Sequence, residues 1–396
     1  MFLAVFISAI VVNYALNEIE DFQCRDQSGD PVDWFIFYKL PKIETVLNSN
    51  IKEGIAFLYM DSKSKNWKLS DKSIADKNQA LSYTLEQNYR LLHETQVRLL
   101  RPKSLTEFSS KKLAWELGRT SVKDKLFQVL SIYYNDEFPF PQEHVCSDVS
   151  GHTKGLIAFY EENGYWLIHS IPKFPRNDTY EYAFNARIYG QMGICVSLKS
   201  TAVQDIAIQL YYSWPNIYSI NIPKIFGKDV PILYKLRNGE HAKGQPTNRT
   251  VSLTSTSGQN FMHFAKTAEF RRDLYADFVA PTLMSALAVE TWQHGAKDGN
   301  LGPFCKSNHH RVLDIKSVKR PDGGVFSNYL DHSKYAITID NGFNTVCVGD
   351  INRQVQQKVH QLKRAGGTLC LQDANVHRSY QNLIAELSKC PNNFLK

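Results

Sequence analysis

The chain lacks any run of about 18 uninterrupted apolar residues, the length a helix needs to cross a bilayer. Its first residues, MFLAVFISAIVVNYALN, carry an apolar stretch from Phe2 to Val12 that is too short to span. That stretch reads as the hydrophobic region of a signal peptide covering residues 1–17, although no Lys or Arg precedes it. No C-x-x-C pair occurs, which argues against a structural zinc site. In a secretory chain the seven cysteines, Cys24, Cys146, Cys195, Cys305, Cys347, Cys370 and Cys390, read instead as disulfide partners. The odd count leaves one thiol over, and spacing alone permits 105 arrangements of three bonds, 7 choices of free cysteine times 15. Two sequons, at Asn177 (NDT) and Asn248 (NRT), are candidate glycosylation sites.

Acidic residues are in the minority. Lys and Arg number 46 against 39 Asp and Glu, a formal charge of +7 that the 12 histidines raise toward +19 in acid. Such a surface suits a polyanion such as nucleic acid, because Lys and Arg contacts release counterions from phosphates. Charge alone permits that partner and an ordinary basic surface equally. With 396 residues, 43% hydrophobic, the chain can bury one large core or two of ordinary size.

The stretch SGHTKGLIAFY (150–160) places His152 and Lys154 two residues apart ahead of an apolar run. In extended chain, residues at i and i+2 leave the same face, so both point into one site. A lone His-x-Lys is a common chance triplet. Here it recurs 180 residues later as His332 and Lys334 in DHSKYAITIDNGFNTVCVGDINR (331–353). Both copies continue as strand, Asn-Gly turn (Asn163-Gly164 or Asn341-Gly342) and second strand. HSIP (169–172) falls where GDIN (349–352) falls, each beginning 17 residues after its histidine. Matched spacing of this kind marks an internal duplication.

Two such copies resemble the phospholipase D superfamily, in which His-x-Lys is followed downstream by Gly-Ser-x-Asn. GDIN matches with Asp350 in the Ser position, whereas the first copy has His169 for Gly and Pro172 for Asn. Within that superfamily the chain resembles deoxyribonuclease II. The blocks that carry the likeness are DQSGDPVDWFIFYKLP (26–41), GIAFLYMDSKSKNW (54–67), GHTKG with GYWLIHSIPKFP, FMHFAKTAEFRRDLYADFVAPTL (261–283), LDHSKY, and CVGDINRQVQQKVHQLKRAGGTLCLQ (347–372). They run in order over nearly all of the chain after the signal segment. The resemblance implies an α/β fold with mixed sheets, a phospholipase D-like pseudo-dimer of two related halves, each a central sheet flanked by helices. It implies an acid endodeoxyribonuclease, needing no metal or other cofactor, that leaves 3′-phosphate and 5′-hydroxyl ends through a phosphohistidine. It also implies the pairs Cys24–Cys195, Cys305–Cys390 and Cys347–Cys370, with Cys146 free. The compartment implied is lysosomal or secreted, with DNA as the substrate; a homodimer is compatible.

The residue types suit that chemistry. A neutral imidazole attacks phosphorus and splits one hard step into two. A protonated imidazole hands a proton to the leaving oxygen. Lysines balance the charge that builds on the equatorial oxygens. His152, Lys154, His332 and Lys334 supply the set, and the sequence leaves open which histidine attacks. Asp350 and Asn352 are candidates to orient the second pair, and His169 holds the equivalent place in the first; a plain turn role competes. His309 and His310 read as surface residues, Lys363 and Arg364 as solvated charge with contact to DNA phosphates the alternative, and most of the 48 aromatic residues as core. A secreted nuclease-like protein that binds DNA or a host partner with little catalysis is the competing function.

The remaining pattern gives an N-terminal half at 18–215, a connecting segment at 216–255 and a C-terminal half at 256–396. Leu81, Leu85, Tyr89 and Leu92 predict a helix over 79–101, and further helices are expected over 201–214 and 269–292, the last broken at Pro281.

Overall fold

The computed structural model describes residues 22–100, 128–142, 150–292, 301–306, 310–340, 342–355 and 361–391. The signal segment, Cys146, His309 and Asn341 lie outside the described residues.

Among the described residues, eight strands form one sheet in the order β3 (Lys68–Leu69), β2 (Phe57–Asp61), β1 (Trp34–Lys39), β7 (Gln191–Lys199), β6 (Asn163–His169), β5 (Gly155–Tyr160), β4 (Leu130–Tyr134) and β8 (Ile217–Asn221). A second sheet runs β13 (Val325–Ser327), β12 (Val312–Lys319), β11 (Leu287–Glu290), β14 (Tyr335–Thr338), β15 (Thr345–Gly349), β16 (Gly366–Gln372), β10 (Asn260–Lys266) and β9 (Asn248–Thr254). A further strand, β17 (Ile384–Leu387), pairs with β12.

Alternation along the strands decides the layering. In β1, Trp34, Ile36 and Tyr38 enter a core that also takes Tyr335, Ile337, Val346, Val348, Leu369 and Leu371 of the second sheet. The sheets therefore face each other. The intervening Phe35 and Phe37 point outward, into a separate core closed by Leu81, Leu85 and Tyr89 of the helix Ala80–Leu100. The outer face of the second sheet is covered by Leu274, Tyr275 and Phe278. Helix, sheet, sheet and helical cover are the result, with strands buried on both faces.

The halves are related by register as well as by motif. Cys195 of β7 pairs with Phe35 on one side and Leu167 on the other; Cys370 of β16 pairs likewise with Met262 and Cys347. The likeness stops at the edges: β8 joins β4 antiparallel, whereas β12 joins β11 parallel. Disulfides link Cys24–Cys195, Cys305–Cys390 and Cys347–Cys370.

Two local readings are corrected. The first hairpin turns at Glu161–Glu162, because Tyr160 pairs with Asn163; Glu161 takes the left-handed conformation at φ 50°. Gly164 belongs to the strand, where a Cβ would lie 2.3 Å from the Phe159 ring. The segment 269–292 is not one broken helix. It holds a 3₁₀ turn at Ala268–Phe270 and a π-helical turn at Tyr275–Val279 running into Ala280–Leu283; Met284 caps this at φ 51°. Leu287–Glu290 then becomes a central strand, since a short, fully buried apolar run carries no periodicity that separates helix from strand.

Trp166 is buried between the sheets, its ring 4.7 Å from that of His263 and its Nε1 donating to Tyr134 Oη at 2.9 Å. Trp166→Ala is expected to cost about 3–5 kcal/mol, measured by urea unfolding with the disulfides intact.

Candidate active site

Each His-x-Lys precedes the first strand of its hairpin, β5 or β14, and is pinned by backbone bonds of the same pattern. Lys154 O accepts from His169 N at 3.1 Å, and Lys334 O from Gly349 N at 2.9 Å. The histidine amides bond across the halves: His152 N to Ala365 O at 3.0 Å, His332 N to Gly190 O at 2.9 Å. Gly190 allows the approach to His332, and Gly151 lets the chain ahead of His152 pack on its own half. A Cβ on Gly151 would lie 2.0 Å from Ser213 O, and one on Gly190 would lie 2.2 Å from the Asp331 carboxylate.

The four side chains share one electrostatic neighbourhood. Burial, then the positive charge of Lys334, His152, Lys154 and Lys39, carries the His332 pKa down to about 2. Burial, then Lys154, Arg364 and Lys334, depresses His152 as well, against the opposing pull of Asp136. Burial and Lys154 bring Lys334 to about 7. Both imidazoles are therefore neutral in the empty site at mild pH, and a phosphate entering between them meets ammonium groups from both halves.

The two histidines have different flanks. Asp136 lies beside His152, its Oδ2 3.4 Å from Nε2, and pairs with the Lys154 ammonium and, at 3.5 Å, with Arg364. His332 is stacked on Tyr189, centroids 4.0 Å apart at 8°, with Trp292 at 4.3 Å on a tilted plane. Register makes these flanks equivalent. Tyr134 pairs with Gly155 as Glu290 pairs with Tyr335, so Asp136 and Trp292 each stand two residues past the end of corresponding strands. Tyr189 and Arg364 each precede the residue that accepts the other half's histidine amide. Two buried lysines fix the loops that deliver them: Lys39 donates to Arg187 O and Tyr189 O, and Lys266 to Leu362 O and Arg364 O.

The supporting residues fall around this centre. The Asp350 carbonyl meets His152 Nδ1, across the halves rather than within the second copy, while its carboxylate accepts from Gly367 N at 2.8 Å. Burial raises that carboxyl to about 7. His169 is fully buried, its Nδ1 accepting from Ile171 N at 3.1 Å, and burial with Lys154 lowers it to about 3. Asn352 is buried with its Oδ1 unpartnered among the described residues. Arg364 is not solvated charge: it also donates to Ser150 O and Gly151 O at 3.1 and 3.3 Å. Asp136, Tyr189 and Trp292 carry no sequence signature, since only strand pairing brings them to the motifs. Of the sequon residues, Asn177 is half-buried and donates to Ser219 Oγ at 3.2 Å, and Asn248 is half-buried at the start of β9.

Among the described residues, no group of three or more His, Cys, Asp or Glu side chains could hold a metal ion, and no helix is long and apolar enough to cross a membrane. A family model for deoxyribonuclease II matches residues 23–390. Similar proteins include cell death-related nuclease 6 of Caenorhabditis elegans, 38% identical over 93% of this chain and 89% of the relative. Deoxyribonuclease-2 of the same organism is 36% identical (93% and 94%), and human deoxyribonuclease-2-beta is 32% identical (93% and 91%).

Gly190→Ala is expected to force Asp331 aside, costing about 1–3 kcal/mol by overpacking and displacing the backbone that holds His332. Urea unfolding measures the first effect; phosphodiester cleavage by the folded variant measures the second.

Proposed function

The chain belongs to the deoxyribonuclease II family and is a deoxyribonuclease, and on that premise we propose how its four motif residues hydrolyse DNA. His332 acts as nucleophile and His152 as general acid. The observation that carries this reading is the convergence of both His-Lys pairs on one site with unequal flanks. Nε2 of His332 has no hydrogen-bond partner among the described residues, and the flanking rings offer it no negative charge. Its lone pair attacks phosphorus. The 5′-oxygen leaves and takes the proton of His152, giving a phosphohistidine that retains the 3′-oxygen. Water then attacks that phosphorus; His152, now neutral, takes its proton, and His332 departs. The products are a 3′-phosphate and a 5′-hydroxyl. Lys154 and Lys334 offset the charge on the equatorial oxygens, so the step needs no metal ion.

The pH dependence follows from the two imidazoles. His332, lowered to about 2, stays neutral through the acidic range. His152 must carry a proton, and its pKa is depressed, so activity falls as pH rises toward the unperturbed value of about 6.5. An acidic lysosomal or secreted setting fits that profile.

Plasmid digestion near pH 5 in EDTA tests the reading. The parent is expected to cleave, and His152→Ala and His332→Ala to lose at least about 10²-fold. A phosphohistidine trapped by acid quench is expected in the parent and absent from His332→Ala. Cleavage surviving both substitutions would remove the mechanism, and an inactive parent would favour DNA binding without catalysis.

A further inference from the structure

We infer that Asp136, braced by Arg364, is a positioning residue that commits His152 to proton donation, while the aromatic pair at the equivalent places keeps His332 a nucleophile. This rests on the mechanism proposed above and adds the device that makes two copies of one motif unlike.

The geometry constrains the proton inventory of His152. Its Nδ1 faces the Asp350 carbonyl, which can only accept, so that nitrogen carries hydrogen. Its Nε2 faces the Asp136 carboxylate at 3.4 Å. Burial raises that carboxyl, but Lys154, His152 and Arg364 together outweigh burial and hold it below the usual range. It is therefore an anion and also only accepts. Two acceptors on one imidazole favour the doubly protonated ring. The Nε2 proton, on the nitrogen that faces Asp136 in the empty site, is the one handed to the leaving 5′-oxygen, while Nδ1 keeps its own on the Asp350 carbonyl. Burial first, then Lys154, Arg364 and Lys334, oppose double protonation in the empty site. The negative charge of the bound phosphodiester offsets those cations and leaves Asp136 to select the protonated form.

Asp136 does not wander into this position. The preceding residue, Asn135, donates through Nδ2 to Ile171 O at 3.0 Å and Phe174 O at 2.7 Å, and its amide bonds Asn216 O at 3.0 Å. Arg364 ties the carboxylate to the chain entering the motif, through Ser150 O and Gly151 O. In the other half, Trp292 occupies the place of Asp136, and its indole can only donate.

The test compares DNA with thymidine 3′-(4-nitrophenyl phosphate), whose nitrophenolate departs without a proton. For Asp136→Asn, DNA cleavage is expected to fall by about 10²-fold, as loss of a general acid does. The alkaline limb of kcat/KM is expected to move to lower pH by about one unit. The first-turnover burst of nitrophenolate falls at least about tenfold less than DNA cleavage does, because no acid is needed. That burst also certifies a folded site. Asp136→Glu restores part of the DNA activity, and His152→Ala reproduces the selective loss. Equal loss on both substrates, or no loss on either, overturns the role. Faster cleavage by Asp136→Asn overturns it too, and would make the carboxylate an occupant of the phosphate cradle. Retained DNA cleavage by His152→Ala sinks the underlying mechanism instead.

Discussion

Two backbone hydrogen bonds that cross between the halves govern the site: the amide of His152 on the Ala365 carbonyl, and that of His332 on the Gly190 carbonyl. Each half builds its own sheet and its own hairpin, but neither positions its histidine alone. The loop that accepts one half's histidine amide also carries the side chain flanking that imidazole, Arg364 for His152 and Tyr189 for His332. Buried Lys39 and Lys266 bind the carbonyls of those loops. A shift of one sheet against the other would therefore disturb amide, flank and phosphate cradle together. The inter-sheet core resists such a shift, because close-packed side chains rearrange only in discrete steps.

The same convergence concentrates positive charge. Lys154 and Lys334 act on both imidazoles, Arg364 on His152 and Lys39 on His332, and burial removes the water that would screen them. Asp136 is the anion that pairs with this cluster on the His152 side. Beneath the second pair, Glu290 and Asp331 are driven up chiefly by burial, so Glu290 is kept neutral at acidic pH. The cradle thus favours an incoming anion without surrounding it with carboxylates.

What could be read from the chain follows from where the information sits. The histidines and lysines are legible because the motif and its repeat lie in contiguous text. Asp136 and Trp292 are invisible because they meet the motifs only through the pairing of β4 with β5 and of β11 with β14. Arg364 looked like surface charge, since nothing near Lys363 announces a carboxylate contributed from the other half. The misplaced turn at Asn163-Gly164 has a similar cause: the Phe159 ring, not backbone freedom, requires glycine there.

An acid enzyme with buried histidines faces a conflict that the fold answers with buried carboxyls. His169 and His263 are held near 3 by burial, and His152 and His332 are also depressed. A depressed imidazole contributes stability above the unfolded value of about 6.5 and loses it as pH falls toward the folded value. Asp350, raised to about 7, has the opposite sign: its contribution is complete below about 3.9 and is lost as pH rises through its folded value. Glu290 and Asp331, also raised, act in the same direction as Asp350. Over roughly pH 4 to 6.5 the unfolded chain gains protons on histidine while the native chain retains one on Asp350, so the two slopes oppose. The pH dependence of stability is thereby flattened across the acidic range.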